Sequence, residues 1–341
     1  MPRIRTAAVA LAAATLLLAG CAGGTAPADT DGGSGDTSAG FPVTIEHAFG
    51  ETTIDAKPER VATVAWANHE VPLALGVVPV GMEFQSYGDD DGDGVLPWVE
   101  DKLEELGAET PVLFQNTEGL DFEAIADTQP DVILASYSGI TKDDYETLSK
   151  IAPVVAYPET AWTTSYEDMI RMNSQAIGLA AEGDALIDDL HGQVEDALAD
   201  YPALADSAPL FAFMSATDLS KIGFYTTGDP RAGFFESLGL GVPAIVTEES
   251  EGAESFYIEV SSEAADRFAD VGLFITYGDE GTDILGAMQA DPLLSQIPAI
   301  AEGRVVILDN ADPLTASANP TPLSIPWGIS DYFAVLAAPL G

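Results

Sequence analysis

Cysteine is almost absent from this chain of 341 residues: Cys21 stands alone. No internal disulfide can form, and a metal centre built on several thiolates is excluded. Histidine is scarce as well, limited to His47, His69 and His191. A zinc or manganese site needs several His and carboxylate ligands converging in one place, and only His69 lies just behind a strand-like run. Cations form the third deficit. Twelve Lys and Arg stand against 56 Asp and Glu, a formal charge of −44. Such a surface excludes nucleic acid and anionic lipid as natural partners. Also missing are G-x-S-x-G, the P-loop, H-E-x-x-H and any Cys/His pair. Those absences remove the usual signatures of hydrolases and phosphoryl-transfer enzymes. Carboxylates abound, but in so acidic a chain a pair of them says little about acid/base catalysis.

What is present begins with a leader. Arg3 and Arg5 precede the apolar run AAVALAAATLLLA (7–19), which is too short for a permanent bilayer span. It ends in Leu18-Ala19-Gly20-Cys21, the small-residue pattern in front of the acceptor cysteine of bacterial lipoproteins. Residues 1–20 are therefore expected to be a lipoprotein signal peptide, with Cys21 carrying the lipid, palmitate included. Each buried methylene contributes about 0.8 kcal/mol, so two or more acyl chains hold a protein firmly. The expected location is the extracytoplasmic face of a bacterial cell membrane, with lipid as the only membrane contact. Residues 21–40, small, polar and acidic, read as a flexible tether. Loss of Arg3 and Arg5 with the leader takes the formal charge from −44 to −46.

Beyond the tether, VTIEHAFGETTI (43–54) alternates around Phe49-Gly50 and predicts a β-hairpin. Strand-like runs follow at 60–65, 76–82, 131–137 and 153–157, with amphipathic segments such as FEAIADTQ (122–129) and YETLSKIA (145–152) among them. A second set lies at 209–215, 221–227, 271–277 and 304–309. Alternating strands and helices predict parallel-stranded α/β lobes. Between the sets, YEDMIRMNSQAIGLA places Met169, Met172, Ala176 and Ala180 on one helical face. The predicted organisation is an N-terminal lobe at 41–162, a long linking helix at 163–183 and a C-terminal lobe at 184–341. A faint echo relates DFEAIADTQPDVILAS (121–136) to SSEAADRFADVGLFIT (261–276).

Several stretches together resemble one family. They are the lipobox, KPERVATVAW (57–66), ALGVVPVG (74–81), FEAIADTQPDVILASYSG (122–139) and LSKIAPVVAY (148–157), then FFESLGLGVP (234–243), VSSEAADRFADVGLFI (260–275) and AIAEGRVVIL (299–308). In their order and spacing they are similar to the iron-siderophore substrate-binding lipoproteins of ABC importers. The resemblance implies two Rossmann-like lobes joined by one long α-helix, the class III periplasmic-binding-protein architecture. It also implies a ferric siderophore held between the lobes, delivery to a permease dimer, a monomeric protein and no catalysis. By the same resemblance Glu123 and Glu263, one per lobe, match the acidic residues that dock on permease arginines; each also suits a helix N-terminus.

Ligands of open α/β sheets sit at the carboxyl ends of strands. That places Trp66, Asn68, Tyr137, Trp162, Met214, Tyr225 and Arg231 at the expected cleft, with Tyr87, Trp98 and Trp327 on nearby loops or helix starts. Rigid aromatic walls suit a bulky chelate. Arg231 and Arg171 are the candidate cleft cations; the alternative for Arg231 is pairing with Asp229 or Glu236. So few cations favour a neutral or cationic hydroxamate chelate over an anionic one. Haem or a cobalamin is the alternative cargo, with His69 or a tyrosine as axial ligand. An extracellular hydrolase is the alternative of a different class.

One further stretch, DDDGDGVLPWVE (89–100), fits the EF-hand calcium pattern. Asp89, Asp91 and Asp93 fall at positions 1, 3 and 5, Val95 offers a carbonyl at position 7 and Glu100 stands at position 12. No helix is predicted to enter it, as an EF-hand requires. The competing reading is an acidic turn that delivers Trp98 to the cleft. Calcium, where bound, would brace that wall.

Overall fold

The computed structural model describes residues 40–341 apart from Asn116, Glu118, Glu254 and Glu280. The expected signal peptide, Cys21 and the expected tether up to residue 39 lie outside the described residues. The hairpin forms as expected from β1 (Val43–His47) and β2 (Gly50–Ile54), paired antiparallel. Its alternation turns Ile45, His47, Thr52 and Ile54 inward, the two isoleucines packing against the first sheet, and leaves Thr44, Glu46, Glu51 and Thr53 outside.

The N-terminal lobe is a five-stranded parallel sheet. Its strands are β3 (Val61–Thr63), β4 (Gly81–Glu83), β5 (Val112–Phe114), β6 (Val132–Ala135) and β7 (Val154–Ala156), in the order β5-β4-β3-β6-β7. Both faces are covered, which explains strands that are apolar throughout. Ala62, Ile133 and Val154 pack with Ile125 and Leu148, while Val61, Val132, Leu134 and Val155 pack with Ile45 and Ile177.

The C-terminal sheet is mixed. Its strands are β8 (Pro209–Ser215), β9 (Asp218–Tyr225), β10 (Tyr257–Ser261), β11 (Leu273–Gly278) and β12 (Val305–Asp309), in the order β10-β9-β8-β11-β12. Strands β8, β11 and β12 run parallel, and β9 and β10 add antiparallel to one edge. The faces again separate by strand parity. Leu210, Ala212 and Met214 point into one core with Phe224, Phe268 and Phe274, whereas Phe211 points into the other with Tyr225, Ile275 and Tyr277.

The connection between the lobes lies further along the chain than 163–183. The first helix there, Tyr166–Ala176, packs on the N-terminal lobe and stops at Gly178, whose φ is 70°. The amide of Leu179 donates to the Ser174 carbonyl and that of Gly178 to Gln175, the paired bonds of a Schellman motif. A 20-residue helix, Ala180–Ala199, then carries the chain to β8. At 1.5 Å per residue it runs about 30 Å. The two lobes also share packing. Val71, Tyr137, Tyr166, Leu190, Phe211 and Phe333 belong to one buried cluster. Near its end the chain returns to the N-terminal lobe, where Ala316 and Leu323 pack among Leu73, Met82, Leu96 and Trp98.

Candidate functional site

A cavity of about 310 Å³ opens between the lobes at the carboxyl ends of the strands. The N-terminal lobe contributes Trp66, Glu83, Tyr87, Tyr137 and Trp162. The C-terminal lobe contributes Asp229, Arg231, Phe256 and Tyr277, and the returning segment adds Thr315, Ala316 and Asn319.

Each wall has a local cause. Trp66 follows β3 between Ala65 and Ala67, whose φ values are 61° and 62°. That left-handed backbone is held from both sides: the Ala65 amide donates to Glu83 Oε2 at 2.8 Å, and Asn68 is locked behind it. Asn68 Nδ2 donates to the carbonyls of Val64 and Tyr137, while its Oδ1 accepts from Ser136 Oγ, the Tyr137 amide and Asn173 Nδ2. Asn68 thus ties the ends of β3 and β6 together and, fully buried, does not reach the cavity. Trp162 has φ 64°, donates its amide to the Ser138 carbonyl and stands edge-on to Tyr137 at 5.4 Å between centroids. Gly139 makes room for it, since a Cβ there would lie 2.1 Å from Trp162 Nε1. Across the cavity, Asn319 Nδ2 donates to the Tyr137 hydroxyl at 3.0 Å, tying the returning segment to the N-terminal lobe.

Arg231 is the cation of the described lining. Its Nε and Nη2 donate to the two oxygens of Asp229 at 2.8 and 2.7 Å, and Nη1 donates to the Tyr277 hydroxyl at 3.0 Å. Its guanidinium lies 3.7 Å from the centre of the Tyr225 ring. Burial works against the arginine's charge, but the Asp229 carboxylate overcomes it and keeps the guanidinium protonated. Burial, then the Asp229 charge, pushes the Tyr137 phenol up; burial, then the Tyr277 phenol, does the same to Tyr87. Both phenols are neutral donors at ordinary pH.

Five of the ten candidate ligand residues therefore line the cavity: Trp66, Tyr87, Tyr137, Trp162 and Arg231. Tyr225 supports Arg231 from behind. Met214 faces the opposite core because it is out of phase with Phe211 and Phe213 on β8. Trp98 and Trp327 sit together elsewhere, 5.1 Å apart, and line a separate groove. Trp98 Nε1 donates to Glu70 at 2.8 Å, so the acidic turn does not deliver this ring to the cavity. Arg171 pairs with Asp168 on an exposed helix face. His69 is buried outside the described lining, and burial lowers its pKa to about 4. Sequence reasoning missed Glu83, Phe256, Tyr277, Thr315, Ala316 and Asn319. Tyr277 and Glu83 carried the strand-end signal that found the others.

In the 89–100 loop, Asp89 accepts the amides of Asp91, Gly92 and Gly94, and Asp93 accepts that of Val95. Burial would raise the Asp89 carboxyl, but these donors together hold it below its usual value. Carboxylate oxygens of Asp89, Asp91 and Asp93 all lie within 4.8 Å of one another. Partial burial, then Asp93 and Asp91, push the Glu100 carboxyl up. The loop enters from a strand and leaves into the helix Pro97–Leu106, so it is not a helix–loop–helix. Glu123 and Glu263 are exposed, each in the first turn of a short helix, one in each lobe.

Two α/β lobes joined by a helix, with an aromatic cavity between them, define a bilobed binding protein. Residues 61–311 match the Periplasmic binding protein family, and the chain belongs to it. It is 46% identical to PiaA of Streptococcus pneumoniae TIGR4, solved in complex with ferrichrome, over 87% of this chain and 98% of that one, with a TM-score of 0.82. A periplasmic solute binding protein from Mycobacterium smegmatis aligns at 26% identity over 88% of this chain and 99% of its own, TM-score 0.70. The probable siderophore-binding lipoprotein YfiY of Bacillus subtilis is 29% identical over 154 residues, 45% of this chain. That match spans 44% of the length of YfiY. The fold is that of the class III binding proteins expected from the sequence.

Proposed function

We propose that this protein captures a ferric siderophore of the hydroxamate type between its lobes and delivers it, unchanged, to the permease of an ABC importer. The observation that carries this is the interlobe cavity, walled by Trp66, Trp162, Tyr87, Tyr137 and Tyr277 with one guanidinium beside them. Flat aromatic walls and neutral donors suit a compact chelate whose outer oxygens carry partial charge. The 46% identity to a protein crystallised with ferrichrome supports the same cargo. Haem or a cobalamin held through His69 is not supported, because that side chain is buried away from the cavity. Titration with ferrichrome should quench tryptophan fluorescence with a micromolar or tighter Kd. Unchanged fluorescence and no heat of binding at tens of micromolar would overturn the reading.

The finer parts of the reading are anchorage through a lipid on Cys21 at the outer face of the membrane, action as a monomer and docking through Glu123 and Glu263. Replacing both glutamates by alanine should abolish uptake and leave ferrichrome binding intact; unimpaired uptake overturns that assignment. Calcium at Asp89, Asp91 and Asp93 would brace the loop that carries Tyr87. Calorimetric titration of chelator-treated protein that shows no heat at millimolar calcium removes this part.

A further inference from the structure

We propose that Asp229 sets the charge selectivity of the cavity: by cancelling Arg231 it makes the site accept neutral ferric chelates and refuse anionic ones. The inference rests on the ferric-chelate reading and deepens it by naming the residue that selects cargo by charge.

An arginine that clamps an anion presents its planar fork to the ligand, because two parallel N–H groups match a carboxylate or catecholate edge. Here that fork is turned onto the protein. Nε and Nη2 of Arg231 both engage Asp229, at 2.8 and 2.7 Å. The Asp229 side chain is 1% exposed and that of Arg231 18%, so the carboxylate lies under the guanidinium, where water screens it poorly. The pairing is built into the backbone. Asp229 is the N-cap of the helix Pro230–Ser237, its Oδ1 accepts the Arg231 amide at 3.0 Å, and Pro230 fixes the first helical position between them. Tyr225 covers a face of the guanidinium.

Among the described residues lining the cavity the remaining charged group is Glu83, whose Oε2 accepts the Ala65 amide. Within the described lining Asp229 offsets the charge of Arg231, so that pair presents no net positive charge to the cargo. A chelate with three negative charges would find no net positive charge in that pair and, at longer range, would meet a chain of formal charge −44. A neutral tris-hydroxamate meets no such opposition. It can accept hydrogen bonds from the neutral Tyr87 and Tyr137 hydroxyls and from the Arg231 N–H groups that Asp229 and Tyr277 leave over.

The test compares wild type, Asp229→Asn and the double variant Asp229→Asn/Arg231→Gln, each titrated with ferrichrome and with a ferric tris-catecholate of three negative charges. Asparagine can still cap the helix and accept from Arg231 Nε through Oδ1, while the change removes the charge and the acceptor of Nη2, freeing that N–H for the cargo. Wild type is expected to prefer ferrichrome by at least a hundredfold. Asp229→Asn should bind the tris-catecholate at least tenfold more tightly than wild type does, and the double variant should lose that gain. A folded Asp229→Asn protein with no gain overturns the proposal. Should that variant not fold, wild type still decides: equal affinity for the two chelates overturns it, and strong preference for ferrichrome upholds it. Failure of wild type to bind ferrichrome would instead defeat the cargo reading, while the gain or its absence in Asp229→Asn would still judge the role of Asp229.

Discussion

Glu70 is a buried carboxylic acid on which the returning C-terminal segment is fastened to the N-terminal lobe. It accepts from Trp98 Nε1 at 2.8 Å and, through its other oxygen, from the Leu323 amide at 3.0 Å. Burial pushes its pKa up to about 7, against the opposing pull of hydrogen bonds from Thr321, Trp98, Leu323 and Ser324. An unfolded glutamate titrates near 4.5. Because the folded value is the higher one, the folded state holds this proton more tightly, and stability falls as pH rises from the unfolded to the folded value. The rise from 4.5 to about 7 corresponds to about 3 kcal/mol, most of which falls between pH 5 and pH 8.

The perturbation is Glu70→Gln. Glutamine can still accept from Trp98, but its amide would face the Leu323 N–H, donor against donor. That loss costs about 1–3 kcal/mol at every pH. The variant should therefore be the less stable protein at pH 5, and the gap should close by about 2–3 kcal/mol on the way to pH 8. At roughly 2 °C per kcal/mol for a unit of this size, the difference in Tm should shrink by about 5 °C. Thermal melts of both proteins at matched ionic strength measure it, and pH 5 keeps the chain above its isoelectric point near 4.1. Melting curves that stay parallel from pH 5 to pH 8 would refute the reasoning. They would mean that Glu70 ionises in the folded protein as readily as in the unfolded one.

Gly88→Ala should lower both stability and ferrichrome affinity, the latter at least tenfold. The residue has φ +84°, and a Cβ would sit 2.4 Å from Ala316 Cβ, lifting the Tyr87 loop off the cavity rim. Left-handed strain and overpacking together cost about 2–5 kcal/mol. Gly92→Ala is the control: its φ is +88° with nothing within 4 Å of the new methyl, so Tm should drop slightly and affinity should hold. Equal effects from the two would remove the steric argument. Asn68→Ala should destabilise by about 2–4 kcal/mol in urea unfolding, since it orphans buried groups on Ser136, Tyr137 and Asn173 at once. A loss under 1 kcal/mol would show that those groups find other partners.

The lobes were legible in the sequence because strands buried on both faces must be apolar throughout, and runs such as DVILASY and VGLFITY admit few other fates. The break after Ala176 was legible too, in Gly178, but helical periodicity continues across it and masks the stop. Met214 shows that strand position alone misleads: its parity with Leu210 and Ala212 sends it away from the cavity. Arg231 carried two competing readings, a place in the cleft and pairing with Asp229; in the structure it lines the cavity while paired with Asp229. Asn319 and Tyr277 had no local signal linking them to Tyr137 and Arg231. The return of the chain to the N-terminal lobe brings Asn319 to Tyr137, and the packing of the helix Pro230–Ser237 beside the end of β11 brings Tyr277 to Arg231, each pair at 3.0 Å.

The four tryptophans divide along a line that composition cannot draw. Trp98 and Trp327 stand in regular helices, Pro97–Leu106 and Ser324–Ala337, and pack on each other. Trp66 and Trp162 reach the cavity, and theirs is the strained backbone: Ala65, Ala67 and Trp162 all have φ near +60°. Nothing in an Ala-Trp-Ala string announces a left-handed conformation, which costs a non-glycine residue about 1–2 kcal/mol. It persists because neighbours over-determine it, Glu83 holding the Ala65 amide and Asn68 holding the strand ends. Strain of this kind gathers at ligand clamps, where rings fixed before binding lower the entropic cost of capture. The cavity walls are thus set by side chains such as Asn68 that never touch the cavity, and loop position alone could not separate the two pairs of rings.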